Sequence, residues 1–187
     1  MPGNAYFDRD RILEVAAVVF SILYTVLITY ENILCWPAAL IASIIFIYLV
    51  YSKRLIAETV LHVFYLLAAI YGWIMWGTSE GFQVNTYGYP INLLLIAGGL
   101  LLIIPCGYLL KKFTSAMLPY VDSFTTIFSF IATYMMAHMV LENWLYWIVI
   151  DSVSAFMYAK RGLYIGAGMF VVYTLLAING YFSWLNA

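Results

Sequence analysis

The segment 142–151 of this chain reads E-N-W-L-Y-W-I-V-I-D and carries two indole rings and a carboxylate at helical spacing. Trp144, Trp147 and Asp151 follow one another at i, i+3 and i+7, so in a helix they share one face. At 1.5 Å per residue, Asp151 lies about 10 Å along the axis from Trp144. Indole faces attract cations, and a carboxylate neutralises them. This face therefore predicts a slot for a flat, positively charged ring.

Two further groups of polar residues are candidates for the same kind of site. Ser129 and Thr133 share one helix face and offer hydroxyls to a ligand, although such hydroxyls also bond their own helix or a neighbouring one. His62 and Tyr65 share another face. A lone histidine more often bonds a neighbouring helix than a ligand, but histidine is rare inside membranes, so His62 stays a candidate for a cavity role.

Three other tryptophans stand near the ends of long apolar segments and have a simpler interpretation. Trp73, Trp76 and Trp184 each stand near the end of a run. Tryptophan is enriched at membrane–water interfaces. We interpret these three as interfacial anchors.

The composition requires a lipid environment for these residues. The 187 residues are 66% hydrophobic and 9% charged, whereas soluble domains are roughly 45–50% apolar and about 25% charged. The sequence contains continuous apolar runs of roughly 20 residues, which indicate membrane-spanning helices rather than the alternating strands of a barrel. The sequence predicts a single all-α membrane domain, residues 1–187, with seven transmembrane helices at 12–30, 33–51, 55–76, 91–110, 123–139, 141–158 and 163–184.

The basic residues predict the orientation of these helices. They form pairs before the first span and after the second, fourth and sixth: Arg9, Arg11, Lys53, Arg54, Lys111, Lys112, Lys160 and Arg161. Positively charged loops stay in the cytoplasm. The N-terminus is therefore expected inside and the C-terminus outside, in a multi-pass membrane protein.

An internal repeat organises the spans. Glu14, Ser21 and Thr25 recur as Asp122, Ser129 and Thr133, and Gly72-Trp73-x-x-Trp76 recurs as Gly180-Tyr181-x-x-Trp184, each 108 positions later. We also pair Glu31-Asn32 with Glu142-Asn143. These echoes predict repeat one at 12–76, an aliphatic linker helix at 91–110 and repeat two at 123–184. Two parallel repeats around one linker form a three-plus-one-plus-three arrangement like that of SWEET sugar transporters, with a substrate site near the midplane.

Several function classes find no support in the sequence. It has no phosphate-binding loop of an ATPase, no H-E-x-x-H or G-x-S-x-G hydrolase motif and no arginine-rich span. Its two cysteines form no metal motif, and a net charge of −1 gives no reason to expect nucleic acid. We expect no enzyme activity, no metal and no cofactor.

The pattern E-N-W-x-x-W-x-x-x-D at 142–151, followed by A-K-R-G-L-Y at 159–164 and Asn179-Gly180, resembles the PnuC family of bacterial vitamin transporters. The motif Y-G-W-x-x-W at 71–76 supports the resemblance, which covers nearly the whole chain. It implies facilitated diffusion of an unphosphorylated vitamin across the bacterial inner membrane, trapping by a cytoplasmic kinase, and a homotrimer. Asn143, within the quoted pattern, joins the candidate substrate-binding residues.

The resemblance leaves the cargo open among nicotinamide riboside, thiamine and riboflavin. Nicotinamide riboside carriers of the family tend to have Asn at the position of Asp151 and to be longer. The aminopyrimidine of thiamine offers a carboxylate two hydrogen bonds, so we favour thiamine over nicotinamide riboside. Neutral riboflavin leaves Asp151 without a counterion. A proton-coupled carrier using Asp151 or His62, and a membrane scaffold without a ligand, are the competing hypotheses.

Overall fold

A computed structural model describes residues 3–52, 56–79, 81–114 and 116–187 and forms seven α-helices within them. The helices are α1 (Gly3–Thr29), α2 (Cys35–Ser52), α3 (Ile56–Thr78), α4 (Tyr89–Phe113), α5 (Pro119–Ala137), α6 (Asn143–Lys160) and α7 (Tyr164–Leu185). The all-helical prediction is confirmed. The first helix begins nine residues before the predicted span, because its turns continue through the charged segment around Arg9. Lys53 and Arg54, a predicted cytoplasmic pair, lie outside the described residues.

Length and apolar composition make five of the described helices able to cross a membrane: α1, α2, α3, α4 and α7. The helices α5 and α6 are as long as α2 but less apolar, so they are not among the five. They carry buried polar groups such as Thr133, Asn143 and Asp151. Most of the candidate polar residues thus lie in these two helices.

The chain divides into two compact units, Met1–Phe82 and Gln83–Ala187. In the first unit, α2 packs against both α1 and α3. In the second unit, α4 packs on α5, α5 on α6, and α6 on α7. The helix that we predict as a linker therefore packs against α5 within the second unit. The repeat boundaries at 12–76 and 123–184 remain a prediction.

Each unit contains the same arrangement of two tryptophans and a glycine, which we call a tryptophan clamp. Trp36 of α2 meets Trp76 of α3 edge to face, with ring centroids 5.4 Å apart and planes at 89°. In the second unit, Trp144 of α6 meets Trp184 of α7 at 5.3 Å and 88°. The residue numbers of the two clamps differ by 108.

A glycine completes each clamp. A Cβ atom placed on Gly180 would lie 2.6 Å from the Trp144 ring, and one on Gly72 would overlap the ring of Trp36. Only glycine lets the indole approach the neighbouring helix backbone so closely. The interpretation of Trp76 and Trp184 as interfacial anchors is wrong, because both side chains are buried, whereas Trp73 is 46% exposed.

The turns that precede α2 and α6, the helices of Trp36 and Trp144, also have the same backbone conformation. Glu31 and Met139 adopt left-handed backbone with φ of 58° and 55°. The next amide bonds back across the helix end: Asn32 N–H donates to Leu27 O at 3.0 Å, and Val140 N–H to Met135 O at 2.9 Å. This is the Schellman ending of a helix.

The register of these turns corrects one predicted pairing. Glu31 is equivalent to Met139, 108 positions later, and not to Glu142, which is 111 positions later. The match between Glu31-Asn32 and Glu142-Asn143 is wrong as a structural equivalence. It reflects similar side chains near two helix starts.

Candidate functional site

The helix α6 carries Trp144, Trp147 and Asp151 through two unbroken turns. The i, i+3, i+7 spacing is therefore helical throughout, and the three side chains leave the helix on one side. The helix begins after the Schellman turn at Met139, so this turn fixes the height of each residue along the axis. Trp147 and Asp151 lie about 6 Å and 12 Å beyond the start of α6.

Trp144 is a packing residue in this conformation. Its side chain is 1% exposed. One ring face lies on Gly180 and an edge contact reaches Trp184. Its position therefore joins α6 to α7.

Trp147 differs from Trp144 in its surroundings. It is only partly buried and packs beside a cluster built from α5 and α6 that includes Phe128 and Ile150. Like that of Trp144, its Nε1 is buried and has no hydrogen-bond partner within the described part of the chain. A buried N–H group left unpaired costs about 1–3 kcal/mol, which a ligand acceptor would recover.

Asp151 is the buried acid of the second unit, with 6% of its surface exposed. In residues 81–114 and 116–187 its carboxylate forms no hydrogen bond and no ion pair. Tyr173 of α7 lies within electrostatic range of it. Burial without a counter-charge is expensive for a carboxylate, so the side chain is suited to a cation that arrives from elsewhere.

Ser129 and Thr133 of α5 are both buried at 6% exposure. Thr133 lies about one turn from the end of α5, at the height of Trp147, and Ser129 lies about two turns from it, at the height of Asp151. The Thr133 hydroxyl has no hydrogen-bond partner among the described residues.

The equivalent hydroxyls in the first unit behave differently. Ser21 donates to Ala17 O at 2.9 Å, and Thr25 donates to Ser21 O at 3.0 Å. Each is satisfied by its own helix. The Thr133 hydroxyl thus has no partner among the described residues, whereas the hydroxyl of its counterpart Thr25 already donates to its own helix.

Asn143 uses its side-chain nitrogen in a structural hydrogen bond, but not its side-chain oxygen. Its amide donates to Val140 O at 2.6 Å, which closes the turn before α6. Its Oδ1 is buried and unpaired within the described chain. A ligand N–H or O–H group could therefore donate a hydrogen bond to this oxygen.

His62 and Tyr65 lie in the first unit, on α3. The His62 ring stacks on Phe46 of α2 at 4.7 Å between centroids and 15° between planes, and its edge meets Tyr65 at 6.1 Å. This stacking gives His62 a packing role between α2 and α3. The other candidate residues all belong to the second unit.

Sequence reasoning missed two features. Trp36 was not among the candidate residues, although its distance of 108 positions from Trp144 was a usable signal. A cavity of about 640 Å³ in the second unit was also missed. The linker helix was expected to offer only aliphatic contacts, which is wrong at Asn92, a polar residue that lines this cavity.

Comparison with known proteins identifies the family. Residues 11–186 match the family model described as "Nicotinamide mononucleotide transporter". The nicotinamide riboside transporter PnuC of Escherichia coli (strain K12) is 24% identical over 214 residues, covering 99% of this chain and 89% of that protein. The protein of the same name from Haemophilus influenzae is 26% identical and covers 94% of this chain and 80% of its own length.

A solved structure has the same fold. The crystal structure of the vitamin B3 transporter PnuC superposes with a TM-score of 0.77 at 23% identity, covering 97% of this chain and 83% of that one. The names of these relatives give nicotinamide riboside and not the thiamine that we favoured from the residues. The chain belongs to the nicotinamide mononucleotide transporter (PnuC) family of membrane transporters and is not an enzyme.

Proposed function

We propose that this protein lets nicotinamide riboside diffuse across the bacterial inner membrane and that α6 provides the binding face. The observation that carries this proposal is the buried carboxylate of Asp151, which forms no ion pair among the described residues. Its negative charge matches the pyridinium ring of nicotinamide riboside, and the unpaired N–H of Trp147 and hydroxyl of Thr133 match polar groups on the ligand. The names of the relatives favour this cargo.

Comparison of the two units assigns separate roles to the two tryptophans of α6. The counterpart of Trp144 in the first unit is Trp36, which makes the same clamp. The counterparts of Trp147 and Asp151 are Ala39 and Ser43. A feature present in both units serves packing that both need, whereas a feature of one unit serves a task of that unit. Trp147 and Asp151 are therefore the ligand-contacting pair, and Trp144 positions their helix.

The three-plus-one-plus-three arrangement is part of the proposal. The paired clamps and paired Schellman turns at a spacing of 108 support a duplication of three helices. We further propose that the N-terminus lies in the cytoplasm, because the basic pairs fall on one side of the predicted spans. A homotrimer is carried over from the family resemblance alone.

Thiamine is the second candidate cargo, since an aspartate rather than an asparagine stands at position 151. Calorimetry on the purified protein distinguishes the two. We expect nicotinamide riboside to bind at micromolar concentration and more tightly than thiamine. Tighter binding of thiamine would make thiamine the proposed substrate. If the protein bound neither vitamin, the result would contradict the proposed function.

A further inference from the structure

The cavity of about 640 Å³ lies on the side of α6 that faces away from Asp151. It is bounded by α4, α5, α6 and Tyr181 of α7 within the second unit. Leu145 and Val149 line it from α6. At about 100° per residue, Val149 leaves the helix about 160° from Asp151 and Leu145 about 120° from it. The cavity is therefore distinct from the proposed vitamin site.

One end of the cavity is polar and rigid. Glu142 accepts hydrogen bonds from the backbone N–H of Tyr87 at 3.1 Å and from the Asn92 amide at 3.4 Å. Tyr146 donates to Asn92 Oδ1 at 3.2 Å. The loop that carries Tyr87 is held by Asn85, whose N–H donates to Met139 O and whose carbonyl accepts from Leu141 N–H, both at 2.8 Å.

This polar end has the composition of an ammonium site. Glu142 has no basic ion-pair partner in residues 81–114 and 116–187. Four tyrosines line the same cavity: Tyr87, Tyr89, Tyr146 and Tyr181. Aromatic rings together with a carboxylate recognise ammonium groups through cation–π attraction and charge pairing.

The other end of the cavity is apolar. Asn92, Ile96 and Leu100 follow one another along α4, so the cavity extends about 12 Å from its polar end. Val149 and Phe128 form the facing walls. These walls offer no hydrogen bond to the hydroxyls of a riboside, but they match a hydrocarbon chain.

We propose that this cavity binds a membrane phospholipid with a primary-amine headgroup, with the amine at Glu142 and an acyl chain beside Leu100 and Val149. The amphipathic shape favours a lipid over the cationic vitamin. The polar end lies at the start of α4 and α6, and the apolar end lies deeper along both helices. This is the polarity of a lipid leaflet. The bound lipid would brace the loop 83–88 against the turn before α6.

Native mass spectrometry of the protein in detergent tests this proposal. Phosphatidylethanolamine and phosphatidylglycerol with identical acyl chains are added at equal concentration. We expect the wild type to retain phosphatidylethanolamine several-fold more than phosphatidylglycerol. Glu142→Gln keeps an acceptor for the Tyr87 N–H but removes the charge, so the two lipids should then be retained equally.

Glu31→Gln is the matched control, because it removes a carboxylate from a helix turn of the first unit that does not line the cavity. This variant should keep the preference of the wild type. Equal retention of both lipids by the wild type, or an unchanged preference in Glu142→Gln, would overturn the proposal.

A second variant leaves Glu142 in place. Val149→Trp fills the apolar end and should lower phosphatidylethanolamine retention several-fold. Unchanged retention would place the lipid elsewhere and contradict the proposal. Excess nicotinamide riboside or thiamine should leave the lipid adduct in place. Displacement by either vitamin would show that the cavity takes the vitamin rather than a lipid.

Discussion

Asp151→Leu is expected to lower the affinity of the protein for a cationic vitamin by about 30-fold or more. Removing one partner of a buried charge pair costs about 2–5 kcal/mol, and 1.4 kcal/mol is tenfold in affinity. Asp151 is buried and forms no ion pair with any of the described residues, so its charge is available to a ligand that binds there. Calorimetry with nicotinamide riboside measures the change.

The control for this variant is Asp122→Asn. Asp122 lies in the first turn of α5 and pairs with Arg161 at 2.8 Å, with both side chains about a quarter exposed. Loss of such an exposed pair costs less than about 1 kcal/mol of stability and should leave vitamin affinity unchanged. Asp151→Leu with affinity within twofold of the wild type would contradict a cation site at α6.

Asp151→Leu has a second readout that a merely structural aspartate would not give. A carboxylate deep in a membrane protein costs about 2.5–3.5 kcal/mol on insertion scales. Replacing it with leucine should therefore raise the melting temperature of the ligand-free protein while binding is lost. Loss of stability together with loss of binding would instead mean that Asp151 holds the fold.

The conservative variant Asp151→Asn addresses the cargo. Asparagine retains a hydrogen bond but not the charge. An aminopyrimidine held by two hydrogen bonds to a carboxylate loses more from this change than a pyridinium ring does. We expect the thiamine affinity of the Asp151→Asn variant to fall further than its affinity for nicotinamide riboside.

Gly180→Ala is expected to destabilise the protein by about 1–3 kcal/mol, the usual cost of overpacking a core. The added Cβ would meet the Trp144 ring at 2.6 Å. That ring is 1% exposed and also contacts Trp184, so it has little room to withdraw. Thermal unfolding in detergent reports the change.

Gly168→Ala is the matched control, since Gly168 lies in the same helix with nothing within 4 Å of its Cβ position. Alanine in a helix interior is favoured over glycine by about 0.5–1 kcal/mol, so this variant should be neutral or slightly more stable. Equal effects of the two substitutions would contradict the clamp. Gly72→Ala should reproduce the effect of Gly180→Ala, because Gly72 supports Trp36 in the same way.

The double variant Gly180→Ala with Trp144→Leu separates packing from ligand binding. The smaller leucine makes room for the Cβ, so the two changes should be less than additive in stability. If Trp144 only positions α6, the double variant should bind the vitamin within a few-fold of Trp144→Leu alone.

The helices of this protein were predictable because their apolar runs are long and their basic residues sit between them. The offset of 108 positions between the two clamps was predictable from echoes such as Gly72 and Gly180. The equivalence of the two turns was not fully predictable, because Glu31 and Glu142 look alike in sequence but differ in backbone. The left-handed conformation at Glu31 and Met139 is a property of the helix end rather than of the residue type.

The face of Trp144, Trp147 and Asp151 followed from spacing alone, but the difference between the two tryptophans did not. Spacing gives both rings the same side of α6. Trp144 is buried because its ring lies against Gly180 of the neighbouring helix α7. The cavity at Glu142 was likewise hidden, because it depends on Tyr87 and Asn92, some 50 positions earlier in the chain.

Uptake of labelled nicotinamide riboside into proteoliposomes tests the central claim most directly. A facilitator with Asp151 as its cation site predicts that the internal concentration rises to the external one and no further, with or without a pH gradient. Liposomes carrying Asp151→Leu should take up no more than protein-free liposomes. Accumulation above the external concentration under a pH gradient, or unchanged uptake by Asp151→Leu, would contradict the account.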